Sequence, residues 1–215
     1  STAAGATTLF SNSYTIADGS SLTGAGSYVL SAGTLTLSGN ISVTTFNHTN
    51  GVLAGTQTFG GGSNLTWSGG NWNSGGTTTI GPSATLTIVG ASEHDYYGRA
   101  IVNNGTVNWN VGQIRSGNSG SIINNARWND AADSSYQYIT AGNAPYFLNA
   151  AGAVYTKSGT GTTLFANPVP LYNDGFVNVL AGTLELNGGG VNSATGVIST
   201  AAGATTLFSN SYTIA

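Results

Sequence analysis

Apolar and polar residues alternate with period two through most of this chain. Thr34-Leu35-Thr36-Leu37, Thr85-Leu86-Thr87-Ile88, Val107-Asn108-Trp109-Asn110-Val111 and Thr183-Leu184-Glu185-Leu186 all follow the pattern. Alternation of this kind marks a strand with one face buried. Apolar residues never recur at i, i+3, i+4, i+7 over a helical window, so almost no helix is expected. Between the strands lie Gly, Asn and Ala, the first two suited to the positive φ of tight turns.

The same pattern repeats at two length scales. Ser1 to Ala17 read STAAGATTLFSNSYTIA, and Ser199 to Ala215 are identical. Seventeen consecutive identities describe one period of 198 residues followed by the start of the next, the signature of an array. A tandem chain is preferred over a copied end. Within the period a degenerate unit recurs: an apolar residue, an Asn, a small-residue turn, then alternation. It reads Val102-Asn103-Asn104-Gly105-Thr106-Val107 and Ile123-Asn124-Asn125-Ala126-Arg127-Trp128. It returns at Leu148-Asn149-Ala150-Ala151-Gly152 and Tyr172-Asn173-Asp174-Gly175-Phe176-Val177. Ile80-Gly81-Pro82-Ser83-Ala84-Thr85-Leu86 is an earlier variant, with Pro82 aligned to Asn103. AGTLTLSG (Ala32 to Gly39) is echoed by AGTLELNG (Ala181 to Gly188).

Short alternating strands also suit barrels and sandwiches. A parallel β-solenoid fits better, because units of roughly 21 to 25 residues match one coil of two or three strands. Asn at one corner of successive coils can hydrogen-bond from coil to coil, as amide ladders do in stacked sheets. A closed barrel also offers nothing for a following period to join. The expected fold is therefore all-β, a single solenoid segment over residues 1–215 with almost no α-helix. At about 22 residues per coil a period holds roughly nine coils, and at about 4.8 Å per strand it spans about 43 Å.

Composition narrows the function. Four Lys/Arg and seven Asp/Glu give 5% charged residues and a net charge of -3, against about 25% charge in ordinary globular domains. So few cations cannot neutralise a phosphate backbone, and no nucleic-acid partner is expected. No apolar run is long enough for a membrane helix, so no membrane insertion of this segment is expected. Zero Cys removes disulfides and thiolate chemistry. Hydrophobic residues at 40% can fill a solenoid interior, and outward Thr and Ser keep its faces polar without stacking like charges at strand spacing.

The run Lys157-Ser158-Gly159-Thr160-Gly161-Thr162-Thr163, the run Leu171 to Val179 and the run Ala181 to Gly190 resemble repeats of very large bacterial surface proteins. Trp67-Ser68-Gly69-Gly70, Ala84 to Ile88, and Gly98-Arg99 before Asn103 to Val107 follow in the same order. Those proteins are secreted, adhesin-like or autotransporter-like chains with β-helical repeats. The resemblance covers roughly residues 60 to 190. It implies an extracellular or cell-surface location and a structural role, with the chain itself as head-to-tail partner through adjoining repeats. The alternative is an adhesin module that binds glycans or cell surfaces through its loop aromatics. Glu93 to Tyr97 and Asp130 to Tyr138 fit this pattern less well and read as loops.

Candidate chemistry is sparse. Glu93-His94-Asp95-Tyr96-Tyr97-Gly98-Arg99 holds a carboxylate, an imidazole and a guanidinium, the groups of acid-base catalysis in a polysaccharide-degrading β-helix. Neighbouring coils supply few charged partners, so a solvated loop with Arg99 bracing a corner is the stronger reading and no catalytic residue is assigned. Asn129 to Ser134 could offer oxygens to calcium but lacks an EF-hand's spacing. His48 and His94 stand far apart without a zinc motif. No metal and no cofactor is expected. The ligand-binding candidates are aromatic: Tyr96, Tyr97, Tyr136 and Tyr138, whose rings could stack on sugars if exposed. Trp67 and Trp72 read as core.

Overall fold

The alternating segments form parallel ladders stacked coil on coil. The computed structural model describes residues 1–139 and 141–215, and its 26 strands join into three sheets of ten, ten and six strands. Every ladder is parallel, and no helix occurs among the described residues. The first sheet runs from Thr7–Phe10 through Thr85–Ile88 and Thr106–Trp109 to Val197–Thr200. The second runs from Tyr14–Ile16 through Arg99–Asn103 to Tyr212–Ile214. The chain thus makes a β-solenoid of ten coils, the tenth completed by the repeated residues.

Period-two alternation fills the interior because each strand turns the same positions inward. One inward column of the first sheet stacks Tyr28, Phe46, Leu65, Leu86, Val107, Trp128, Tyr155 and Val177 in register. All of these are buried. A second column stacks Leu30, His48, Trp67, Ile88, Trp109, Asp130, Lys157 and Val179. In this column His48, Asp130 and Lys157 bring polar groups into the core at the end of the first-sheet strand, where the chain turns.

The corner asparagines form the expected ladder. Asn103 Nδ2 donates to Asn124 Oδ1 at 2.7 Å, Asn124 to Asn149 at 2.8 Å, and Asn149 to Asn173 at 2.7 Å. The structure adds a fifth asparagine and a fourth bond, Asn173 to Asn192 at 2.7 Å. Asn192-Ser193-Ala194-Thr195-Gly196-Val197 carries the same sequence signal. Below the ladder the slot belongs to Ile80, which pairs with Asn103 in place of the Pro82 expected from sequence. Glycine serves this corner by its size. A Cβ on Gly105 would lie 2.3 Å from the Gly81 carbonyl oxygen, and one on Gly175 would lie 2.4 Å from that of Ala150.

The third sheet corrects two loop assignments. His94–Asp95 opens it, and Ser135–Tyr138 is its third strand. In the second and third coils an eight-residue strand, Thr34–Ile41 and then Val52–Phe59, follows each first-sheet strand, with Gly39 and Gly55 at positive φ inside them. From the fifth coil a separate strand stands between the first-sheet and second-sheet strands of each coil. The buried tryptophans Trp67, Trp72, Trp109 and Trp128 and the buried Arg99 lie in the fourth to seventh coils.

Candidate functional site

Chemistry-bearing side chains gather where the third sheet begins. Trp67 and Trp72 stack with centroids 4.1 Å apart and planes 7° from parallel. Trp72 Nε1 donates to His48 Nδ1 at 2.9 Å, which places the His48 proton on Nε2, 3.3 Å from the Gly51 carbonyl oxygen. Burial pulls the His48 pKa down to about 4, so the ring is neutral at pH 7. His94 stands edge-on to Trp67 at 4.9 Å, with Nε2 3.0 Å from the Val89 carbonyl oxygen and 3.2 Å from that of Trp67. Burial lowers its pKa too. The two imidazoles are core fixtures, each held by backbone carbonyls.

Arg99 is the corner brace expected from sequence. Its side chain is buried and donates to the carbonyls of Trp72, Ser74, Gly55 and Gly75 and to Thr78 Oγ1, the last at 2.7 Å. One guanidinium thereby ties together three coils. Burial lowers its pKa to about 10, so it remains charged near neutrality.

The carboxylates of the same segment point the other way. Asp95 accepts a bidentate pair from Arg115, at 2.8 and 2.9 Å, across neighbouring third-sheet strands. Glu93 accepts from Arg115 Nη1 at 2.6 Å. The seven-residue cluster thus splits across the wall, His94 and Arg99 inward, Glu93 and Asp95 outward on a shared cation. No pocket opens among the described residues.

Within the Asn129 to Ser134 segment only Asp130 and Ala132 are buried. Asp130 is buried and accepts from Tyr155 Oη at 2.6 Å and from the Ala132 N–H at 3.0 Å. Burial raises its pKa, with the two hydrogen bonds opposing. Lys157, fully buried and in register with Asp130, donates to Asp133 at 2.6 Å and to the Gly159 carbonyl at 2.6 Å. No group of three or more metal-ligating side chains converges among the described residues.

The four aromatic candidates divide evenly. Tyr96 and Tyr136 point inward and are buried, hydroxyl against hydroxyl, with Tyr136 also packed edge-on against Phe165. Their burial corrects the expectation of exposed rings, since neither can reach a surface ligand. Tyr97 and Tyr138 are half-buried; Tyr97 lies near Gly117, and Tyr138 Oη donates to the Gly142 carbonyl. Trp67 and Trp72 are core, as expected.

Strand edges without a neighbour stand at the two ends of the rod. Thr7–Phe10 and Tyr14–Ile16 each have a strand neighbour on one side only, as do Val197–Thr200, Thr205–Leu207 and Tyr212–Ile214. These edges carry exposed apolar side chains: Leu9 and Tyr14 at the start, Val197, Leu207, Phe208 and Ile214 at the finish. Unpaired edges with apolar side chains are templates for further strand pairing. No protein-family model matches the chain, and neither does any curated protein or solved structure.

Proposed function

We propose that this chain is a structural repeat unit of an extracellular or cell-surface fibre or stalk, extending by end-to-end addition of coils. The observation that carries this reading is the pair of open strand edges at the ends of an otherwise closed ladder stack. A solenoid whose every internal coil has two neighbours and whose ends expose apolar edges gains by continuation. The exact duplication of seventeen residues supports a tandem continuation in which the next period follows in the same chain. A sparsely charged, Thr- and Ser-rich wall suits a passive spacer.

The test is electron microscopy of this chain beside a chain of two periods, residues 1–198 followed directly by residues 1–215. The expected result is a rod longer by about 43 Å, nine coils at about 4.8 Å each. A two-period particle that stays compact, or two separate rods joined by a flexible tether, would overturn the reading.

A further inference from the structure

The duplicated segment folds alike at both ends, although its first strand lies in different sheets. Thr2 Oγ1 meets Thr8 Oγ1 at 2.6 Å, and Thr200 Oγ1 meets Thr206 Oγ1 at 2.7 Å. The Ala6 N–H donates to the Ala3 carbonyl at 3.0 Å, and the Ala204 N–H to that of Ala201 at 3.1 Å. Asn12 accepts from the Ser13 N–H at 2.8 Å, as Asn210 does from Ser211 at 2.7 Å. The segment is therefore one coil seen twice, once with only a following neighbour and once with only a preceding one.

Burial in the two copies is complementary. Phe10, covered by the following coil, is 7% exposed, whereas its copy Phe208 is 40% exposed. Ile16 is half-buried and its copy Ile214 is 66% exposed. The converse holds on the other side: Tyr212 packs against the core, while Tyr14 is 47% exposed. Inward and outward positions keep the same phase, since Thr8 and Thr206 are half-buried while Leu9 and Leu207 face out. Superposed, the two half-buried copies describe a coil covered on both sides.

From this we infer that the contact of Ser199 to Ala215 with the ninth coil is the junction itself, the site that receives the first coil of a second period of this chain. The inference rests on the tandem reading and specifies its register. Thr183, Leu184 and Glu185 pair with the residues equivalent to Thr7, Thr8 and Leu9. Gly190, Val191 and Asn192 pair with those equivalent to Tyr14, Thr15 and Ile16. The second sheet continues unbroken, because both copies of Tyr14–Ile16 belong to it.

The other two sheets change places. Thr7–Phe10 starts the ten-stranded first sheet, yet its copy Thr205–Leu207 ends the six-stranded third sheet. The third sheet of one period therefore becomes the first sheet of the next, and six and ten strands sharing one make a sheet of fifteen. The old first sheet stops at Val197–Thr200. Its edge is covered by the segment equivalent to Ser20 to Gly26, as Thr2 is here, whose N–H donates to the Thr23 carbonyl at 2.8 Å. Sheet ends are thereby staggered along the rod, and at no coil do all sheets break together.

Engineered cysteines in the two-period chain test the register, since the chain has no cysteine of its own. Neighbouring parallel strands bring outward partners within disulfide reach, about 4.4–6.8 Å between Cα atoms. One variant carries Glu185→Cys in the first period with Leu9→Cys in the second. Another carries Leu9→Cys with Val29→Cys, both in the second period. The single-period pair Glu185→Cys with Leu207→Cys is the positive control. Near-complete crosslinking of both two-period variants is expected, as in the control. Rods that lengthen while the Glu185–Leu9 pair stays reduced would overturn the junction yet leave the tandem reading standing. Particles that fail to lengthen would overturn that reading.

Hydrogen exchange on the cysteine-free two-period chain gives an independent readout. Amides of the coil equivalent to Thr205 to Ile214 are expected to exchange at least about tenfold more slowly than in the single-period chain, where one side is open. Unchanged exchange there would overturn the junction.

Discussion

His48 and Arg99 are buried where the chain turns, and the burial of His48 has a consequence for pH. His48 is neutral in the folded interior, with its pKa brought from 6.5 to about 4 by burial. The unfolded chain therefore binds a proton that the folded chain refuses between those two values. Stability from this residue is fully present above pH 6.5 and is lost as the pH falls towards about 4, by about 3 kcal/mol over the interval. His94, lowered in the same direction, adds to the slope, whereas Asp130, raised by burial, opposes it. Thermal unfolding at pH 7 and pH 4.5 should show a clear fall in Tm for the natural chain. His48→Gln, which keeps an acceptor for Trp72, should show a smaller fall. An equal fall in both would assign the acid sensitivity to other groups. Charges that do stack in register are of opposite sign, Asp95 on Arg115 and Asp130 beside Lys157, which fits the repulsion that like charges would meet at strand spacing.

Among the elements, the asparagine corner is the part most plainly built from sequence. Asn149 accepts from Asn124 and donates to Asn173 and to the Phe176 carbonyl at 3.0 Å. Asn149→Ala leaves buried partners on both sides unsatisfied and should cost about 2–4 kcal/mol. The exposed ladder of Asn129 on Asn108, at 2.8 Å, is open to water, and Asn129→Ala should cost under about 0.5 kcal/mol. Chemical denaturation of the two variants measures the difference; equal losses would mean that the inner ladder is no more than a solvated one. The strands and this corner were legible because inward and outward positions follow directly from period-two alternation. The face a strand occupies was not legible, since alternation says nothing of it. AGTLTLSG and AGTLELNG show this directly: Thr34–Ile41 lies in the second sheet and Thr183–Leu186 in the third. The third sheet was hidden for a related reason. His94–Asp95 and Ser135–Tyr138 carry charge, Tyr and Gln where a strand of this chain usually carries Thr and Leu, so they read as loops. Tyr96 and Tyr136 were misplaced with them, because a ring in a loop is expected outside and a ring at an inward strand position is not.

For the whole molecule, stability should depend on how many coils have two neighbours. Each internal coil gains from pairing on both edges, whereas a terminal coil gains from one and exposes apolar side chains on the other. Here two of ten coils are terminal, with Leu9, Tyr14, Phe208 and Ile214 exposed on them. A second period adds nine internal coils without adding an end. Chains of one, two and three periods should therefore unfold at rising temperature, with a larger step from one to two than from two to three. The steps diminish because the fraction of terminal coils falls ever more slowly. The staggering of sheet ends sharpens this expectation. With the second sheet continuous and the third running on as the first sheet of the next period, two ladders cross each junction, and long chains should unfold in one transition. Two transitions in calorimetry of the two-period chain, one per period, would mean that the junction is a seam and that the periods behave as separate rods.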